Sequence, residues 1–506
     1  MKVIAMYLPQ FYRTPENDQW WGEGFTDWKA VKTAKCLYEG HEQPRIPQNN
    51  KYYNLLEHDV MAWQTELMKK YEIDGLCMYH YWFKDGKKVL EKPAENLLRW
   101  KDILMPFCFC WANQTWARSW SRLQDKNTWA DTYEKEKEPC GNGILLEQRY
   151  GREEQWKEHF EYLLPFFFDE RYIRVDGRPL FLIHNSSDIF CLIEMLDYWR
   201  ELCKAHGLPE LYVVGAKGNR PNLDCLEGIL NRQPSGGIGR LPVSCKYTKN
   251  GITVWEYDDI WSEILNERMS EQTLLQGVVG YDDTPRRGTE GQIVEHATPE
   301  KFSFYLTELL AKSAAFEKDI VFLNAWNEWG EGMYLEPDES CGDGYLKAVP
   351  VAKRNYKHLI GKYRYIEKIN REMDARNGVK TGNKVNKEQY YLHMLDHWMA
   401  LRENGFLISA WLKRADCKKI AVYGYGILGK HLCSELSKSE ILVEYVIDQK
   451  KDSIHTEYKV YLPYDEIPEI ETVIVTAIFD YEKIYKNLRS KGICKVISLE
   501  SILYEN

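Results

Sequence analysis

Short apolar runs recur through the first two thirds of the chain, each bounded by polar or turn-forming residues. They are Val3–Tyr7, Gly75–Tyr81, Met105–Trp111, Pro179–His184, Leu211–Gly215, Gly228–Leu230, Gln276–Val279 and Ile320–Ala325. Between several of them lie stretches with helical spacing, namely Val60–Tyr71, Glu154–Phe167, Ile189–His206 and Pro299–Phe316. Strands alternating with helices predict a parallel sheet. Eight such strands over residues 1–350 predict a (β/α)8 TIM barrel with long insertions. On pattern alone an open doubly wound sheet is the alternative, and Gly228–Leu230 is the least marked of the eight runs.

After residue 350 the texture changes. Residues 352–377 read as a helix, GVKTGNKVN breaks it, and Lys387–Lys413 reads as another, giving a helical linker over 351–416. The excess of Lys and Arg in its first half reads as a solvated helix face. A small Rossmann-like α/β domain is predicted for 417–506. There KKIAVYGYGILGKHL supplies a strand, then Gly424-x-Gly426-x-x-Gly429, then a helix. A strand ending in VIDQKK brings Asp448, followed by a strand (Thr472–Thr476), a helix (Tyr481–Lys491) and a strand (Lys495–Ser498). Three glycines in this context can admit a pyrophosphate at the helix N-terminus, with Asp448 near a ribose hydroxyl. The cofactor reading for this domain is therefore a nucleotide or nucleotide sugar, set against a purely structural role. A Tyr-x-x-x-Lys redox pair is not evident in it.

Composition bounds these readings. A chain of 506 residues is too long for one ordinary core and predicts two or three domains. With 44% apolar and 28% charged residues it is globular in type. A net charge of −9 gives no general reason to expect nucleic acid as a partner. The opening MKVIAMYLPQFY is too short an apolar run for a signal peptide, and no stretch reaches the roughly 18–20 apolar residues of a membrane span. The 13 Cys form no CxxC pair; Cys108 and Cys110 alternate within one apolar run. Free thiols in a cytoplasmic protein fit that pattern better than disulfides or zinc. The oligomeric state stays open. What stands out is the aromatic content: 34 Tyr and 18 Trp, sixteen of the Trp before residue 346. Rigid rings build cores, but they also offer flat faces to sugars or bases.

The densest chemistry lies in Ile320–Asp338, IVFLNAWNEWGEGMYLEPD. Barrel active sites form where strands end, so Glu328 and Glu331 are expected over the C-terminal mouth. Three residues apart on a tight turn, both acids can enter one cleft, one bearing a proton and one ionised, as glycosidic cleavage requires. Trp326 and Trp329 can supply apolar walls that raise one pKa, and Asn327 can bond a hydroxyl. Other strand ends carry comparable residues. Tyr7, Trp21, Asp27 and Trp28 follow the first strand, His80, Tyr81 and Trp82 the second, and Trp111, Asn113, Gln114 and Arg118 the third. His184 ends the fourth, and Asp282, Asp283 and Arg286 follow the seventh. Aromatic faces stack on sugar C–H groups while Asn, Asp, His and Arg take hydroxyls. HExxH, Asp-x-Asp, Walker and GxSxG motifs are missing, so the barrel chemistry is expected to need no metal or cofactor.

In these segments the chain resembles the WbsX-like family, polysaccharide-biosynthesis relatives of glycoside hydrolase family 99. The matching stretches are IAMYLPQFY, ENDQWWGEGFTDW, HEQP, GLCMYHYWF, LEKPAENLL, CWANQTWARSW, YDDTPRR and AWNEWGEGMYLEPD, running from residue 3 to about 338 in the family's order. The resemblance implies a (β/α)8 barrel acting on glycans, with the pair of its WNEWxEG motif falling on Glu328 and Glu331. Family 99 enzymes are retaining endo-α-mannosidases. By that likeness Glu328 draws the proton from a sugar 2-hydroxyl, which closes on the anomeric carbon as a 1,2-anhydro intermediate. Glu331 protonates the leaving oxygen and then activates water or an acceptor, an exception to the usual covalent scheme. Two departures stand out. The family's WANENW is WANQTW here, so Gln114 replaces a carboxylate, and its WDN is Tyr281-Asp282-Asp283. Both imply an altered sugar preference with the acid pair intact. The last 90 residues resemble an accessory module appended to capsule and surface-polysaccharide proteins.

The leading expectation is thus a retaining endo-type glycosidase or transglycosidase acting on bacterial surface polysaccharide or its precursors. A glycosyltransferase using a nucleotide sugar in O-antigen (lipopolysaccharide) or capsule biosynthesis is the alternative, and a non-catalytic glycan-binding protein the third.

Overall fold

A computed structural model describes residues 1–117, 144–216, 225–367 and 387–504. Eight parallel strands follow one another around a closed barrel in chain order: Lys2–Tyr7, Gly75–Trp82, Phe107–Trp111, Arg178–Ile183, Tyr212–Ala216, Gly228–Leu230, Thr273–Val278 and Ile320–Asn324. The first strand pairs on one side with the second (Ile4 opposite Gly75) and on the other with the eighth (Lys2 opposite Ile320). That double pairing closes the sheet and excludes the open, doubly wound alternative. Even the short sixth strand is paired on both sides, Ile229 lying opposite Gly215 and Thr273.

Helices including His58–Lys70, Glu153–Phe167, Leu192–Ala205, Tyr257–Leu265 and Pro299–Ala315 lie outside the strands. The core fills the layer between, with Phe160, Trp199, Trp261 and Leu309 buried. Each such side chain contributes roughly 1.5–3 kcal/mol by leaving water. Alternation along each strand decides what faces this layer and what faces the barrel axis. On the third strand Phe109 and Trp111 point outward, meeting Phe166 at 5.0 Å and His159 at 4.7 Å. Cys108 and Cys110 point the other way and gather with Cys77.

The long loop segments between the sixth and eighth strands form a small sheet of their own. Gln292–Glu295 pairs in parallel with Ile252–Glu256 and antiparallel with Tyr281–Asp282. This sheet sets the direction of the chain just after the seventh strand, where Arg286 lies.

Beyond the barrel, Gly344–Asn355 packs on Pro299–Ala315. The helix expected over 352–377 passes through a 3-10 segment at Tyr356–Leu359 and resumes over 360–367; its remainder lies outside the described residues. The helix expected over Lys387–Lys413 is two, Lys387–Glu403 and Ile408–Arg414. Gly405, at φ 85°, ends the first in the left-handed conformation typical of a helix C-terminus. The C-terminal sheet has five parallel strands in the spatial order Val460–Tyr461, Leu442–Ile447, Lys419–Tyr423, Thr472–Val475, Lys495–Ser498. Numbered along the chain this is 3-2-1-4-5, the order of a Rossmann half and its first crossover. The two-residue strand Val460–Tyr461 is an addition to the sequence reading. The module rests on the barrel: Tyr481 donates to Glu194, Ile193 joins its apolar cluster, and Arg152 lies 4.4 Å over the Trp411 ring. Among the described residues no helix is long and apolar enough to cross a membrane.

The seventh strand offers a direct test of this packing. A Cβ on Gly277 would lie 2.6 Å from Trp261 Cη2 and 3.1 Å from both Leu309 and Leu323. Gly277→Ala is expected to destabilise the chain by about 1–3 kcal/mol through overpacking, read as a lowered midpoint in urea unfolding.

Candidate active site

The eighth strand ends where Trp326 N–H donates to Met6 C=O at 2.7 Å. The chain then folds into a tight hairpin. Asn327–Glu328 pairs antiparallel with Met333–Tyr334, and Trp329–Glu331 turns between them, closing on Gly332 at φ 63°. Glu328 therefore comes from a strand and Glu331 from the turn, both above the C-terminal mouth.

A buried carboxylate anchors this hairpin from below. Glu336 accepts from the indoles of Trp326 (2.9 Å) and Trp329 (2.8 Å), from Gln64 Nε2 (2.7 Å) and from the Tyr53 hydroxyl (2.8 Å). Burial raises its pKa to about 7, against the pull of those four donors. Asn327 locks the hairpin to the first strand's exit, accepting from Leu8 N–H at 2.8 Å and donating to Leu8 C=O at 3.0 Å.

Arg286 enters from the loop after the seventh strand. Asp282 holds that loop, taking hydrogen bonds from Gln43 Nε2 (2.7 Å), Thr284 N–H (3.0 Å) and Thr284 Oγ1 (2.6 Å), with His41 Nε2 at 2.9 Å. Burial alone would raise the Asp282 pKa, but His41, Thr284 and Gln43 outweigh it and hold it below the usual carboxylate range. One helical turn, Thr284–Arg287, then aims the Arg286 guanidinium at the glutamates. It donates to Glu328 and Glu331, each at 2.6 Å, and to both oxygens of Asp27 at 3.1 and 3.0 Å. Gly330, between the two acids, makes the approach possible: a Cβ there would lie 2.6 Å from Arg286 Nε and 2.7 Å from an Asp27 oxygen.

Three carboxylates thus share one guanidinium. Burial pushes Glu328 up to about 8, with Arg286 opposing and Glu331 and Asp27 adding to the rise. Glu331 is raised as well, first by burial, with Arg286 opposing and Asp283 and Asp27 reinforcing. Glu331 is the more open of the pair, its side chain 28% exposed against 7% for Glu328. One acid that keeps its proton beside one that ionises is the arrangement acid–base chemistry needs.

Residues 3–349 match the family described as Glycosyltransferase WbsX. The chain belongs to the WbsX family. Two relatives named Uncharacterized protein WxcX, from two strains of Xanthomonas campestris pv. campestris, are each 31% identical over 359 residues. The alignments cover 68% of this chain and 48% of theirs, so the chain spans about half the length of these curated relatives. A GH99 endo-alpha-mannosidase from Bacteroides thetaiotaomicron is 15% identical, with a TM-score of 0.41 over 72% of this chain and 98% of that one. A glycoside hydrolase-like protein is 14% identical, with a TM-score of 0.42 over 70% and 94%.

In this WbsX chain the residues singled out from sequence separate into two groups. Arg286 meets the acid pair directly, and Asp27 shares its guanidinium. Tyr81 lies close enough for Glu328 to raise its pKa after burial, and Asp283 bonds Tyr281 (3.0 Å) and reinforces the shift at Glu331. His184 sits edge-on to Tyr79 at 5.8 Å beside Arg232; burial, then that cation, lower its pKa to about 3. Gln114 is exposed, and Arg118 lies outside the described residues.

The second group is corrected by the structure. Tyr7 turns outward and donates to Gln64 at 2.9 Å. His80 and Trp82 face the helix Glu153–Phe167, His80 Nε2 lying 2.8 Å from His159 Nε2 and Trp82 stacking on His159 at 4.6 Å. Trp111 packs on the same helix and donates to Trp82 C=O at 3.1 Å. Trp28 is buried and donates to Tyr53 C=O, and Trp21 is buried with Trp20 and Phe25. Asn113 ties the third strand's exit to the fourth's, donating to Asn185 C=O and accepting from Asn185 N–H. Trp326, Asn327 and Asp282 are consumed by the networks above. These side chains support the cleft rather than line it. Tyr79 and Tyr281 also stand near the acids: burial, then Cys110 and Glu328, raise the pKa of the first, and burial, then Glu331, that of the second. Two-residue alternation along the second strand would have selected Tyr79 with Tyr81 and set aside His80 and Trp82.

In the C-terminal module Gly424 takes φ 92°, and Gly429 lies against Gly424 C=O with no space for a side chain. Gly426 opens outward; a Cβ there would meet nothing within 4 Å. Asp448 accepts from Tyr425 N–H and Lys450 N–H, each at 2.7 Å, so its carboxylate braces the glycine turn itself.

Two outcomes are expected of the acid cluster. Gly330→Ala is expected to displace Arg286 from the three carboxylates and to destabilise the chain by about 1–3 kcal/mol, read as a lowered midpoint in urea unfolding. Between the ordinary value of 4.5 and about 8, folded Glu328 keeps a proton that the unfolded chain has released. Stability should therefore fall as pH rises through that window, and Glu328→Gln should flatten the slope in urea unfolding at pH 5 and pH 8.

Proposed function

We propose that this WbsX chain is a glycan-active enzyme, a retaining endo-type glycosidase or transglycosidase of mannosidase-like chemistry. Its substrate would be a bacterial surface polysaccharide or its precursor. The observation that carries the reading is the pair Glu328–Glu331 on one hairpin, bridged by Arg286 at 2.6 Å to each acid. In the proposed first step Glu328 takes the proton of the sugar 2-hydroxyl as that oxygen bonds the anomeric carbon. Glu331 gives its proton to the departing oxygen as the glycosidic bond breaks. In the second step Glu331 takes a proton from water or an acceptor hydroxyl, whose oxygen attacks the anomeric carbon as the bond between that carbon and the sugar's O2 breaks, and Glu328 returns its proton to O2.

These roles require Glu328 ionised and Glu331 protonated, whereas burial favours the proton on Glu328 in the free enzyme. A sugar hydroxyl donating to Glu328 supports its ionised form, and a leaving oxygen accepting from Glu331 supports its protonated form. On this reading substrate binding moves the proton, and Arg286, touching both acids, screens the charge wherever it sits. Glu328→Gln and Glu331→Gln are each expected to lower reducing-sugar release from surface-polysaccharide fragments by roughly 10²–10⁴-fold. Unchanged release in both variants would rule the assignment out.

A second reading, a glycosyltransferase, draws on the 3-2-1-4-5 sheet and the open face at Gly426. The backbone of the Gly424–Gly429 turn would hold the pyrophosphate of a nucleotide sugar, with Asp448 shaping the turn. Acceptor-dependent release of a nucleoside diphosphate would favour this reading over the first.

A further inference from the structure

A second arginine stands at the same end of the barrel as Arg286, in different company. Arg232 follows the sixth strand, and its neighbour Gln233 is fixed from two other strands. Gln233 N–H donates to Gln276 Oε1 at 2.8 Å, and Gln233 C=O accepts from Asn324 Nδ2 at 2.7 Å. The same Asn324 amide meets Met333 Sδ at 3.4 Å, and Met333 pairs with Glu328 across the hairpin. The Asn324 side chain thus bridges the Arg232 loop to the hairpin that carries the acids.

His184 meets the Arg232 guanidinium from the exit of the fourth strand. Phe181 turns outward onto Trp199 at 5.6 Å, so alternation turns His184 toward the barrel axis, where its ring lies edge-on to Tyr79 at 5.8 Å. Tyr79 is the same tyrosine whose pKa burial, Cys110 and then Glu328 raise. A guanidinium has no lone pair to offer, so its contact with His184 Nε2 makes that nitrogen the acceptor and leaves the imidazole neutral. Arg232 is half-buried, and among the described residues His184 is its only side-chain partner; no carboxylate pairs with it. A cation partly withdrawn from water and faced by a neutral ring is costly by itself. Its open N–H fork suits a carboxylate or phosphate, which takes two parallel hydrogen bonds. Arg286 is neutralised within its cluster of three acids, whereas Arg232 keeps its charge for a ligand.

We propose that Arg232, backed by neutral His184, binds an anionic substituent of the glycan, a carboxylate or a phosphate, so that the substrate is an acidic polysaccharide. This deepens the glycan-active reading by naming the charge class of its sugar, and it rests on a glycan being bound at this mouth.

The test uses the full chain with two pairs of probes: hexuronate-bearing oligosaccharides with their carboxyl-reduced counterparts, and phosphorylated α-mannan with its dephosphorylated counterpart. Binding is read by calorimetry and cleavage by reducing-sugar release. Wild type is expected to bind the anionic member of at least one pair about tenfold more tightly than the neutral member, and the responding pair tells carboxylate from phosphate. Arg232→Gln is expected to abolish that preference. Arg232→Lys, which keeps the charge but not the fork, is expected to retain part of it, and it carries the test should Arg232→Gln fold poorly in urea unfolding. The proposal is overturned if wild type binds both members of each pair alike or binds none, or if the preference is undiminished in the folded variants. Glu331-dependent cleavage would then leave the glycosidase reading standing. An Arg232-dependent preference without cleavage of any probe would instead sink the glycosidase reading and leave the anion site in place.

Discussion

The site depends on one cation placed among three carboxylates. Arg286 is the shared partner of Asp27, Glu328 and Glu331, and its side chain is only 12% exposed. Without it, the neighbouring carboxylates would repel one another with no opposing charge. With it, the charges still do not balance, three acids to one base. The cluster therefore holds a proton near neutrality, and burial decides which acid carries it. Gly330 and the Asp282 network serve this arrangement, the first by leaving room for the guanidinium and the second by aiming its loop.

Beneath the acids the support is of another kind. Glu336 collects four donors from three separate segments of chain, and Asn327 pairs with both backbone groups of Leu8. Such satisfied buried networks fix geometry more than they add stability, since a half-satisfied one would cost more than an apolar core. The hairpin that carries Glu328 and Glu331 is thus held firmly on its underside, opposite the Arg286 contacts.

Much of this was legible in the sequence, for a physical reason that also explains what was not. Each barrel strand is a compact apolar run between polar helices, so all eight could be located, including Gly228–Leu230. The acid pair stood out because Glu328 and Glu331 interrupt an apolar strand exit with charge. Composition at strand ends did not reveal facing. His80, Trp82 and Trp111 look like cleft residues until strand alternation sends them outward onto His159. The anchoring role of Glu336 depends on four donors contributed by Tyr53, Gln64, Trp326 and Trp329, a convergence that no local spacing shows. Asp448 was expected to face a ribose; its backbone partners at Tyr425 and Lys450 depend on how the turn closes.

The bond between Asn327 and Leu8 joins residues 319 positions apart. A contact of such long range has a high loop-closure cost and is gained only once the intervening barrel has assembled. During synthesis, the acids emerge on a hairpin with no first-strand exit to lock against until the last strand docks. The geometry of the acid pair is thereby tied to completion of the fold: a nascent or partly unfolded barrel carries both glutamates but not their shared arrangement, which the final closure of the sheet sets.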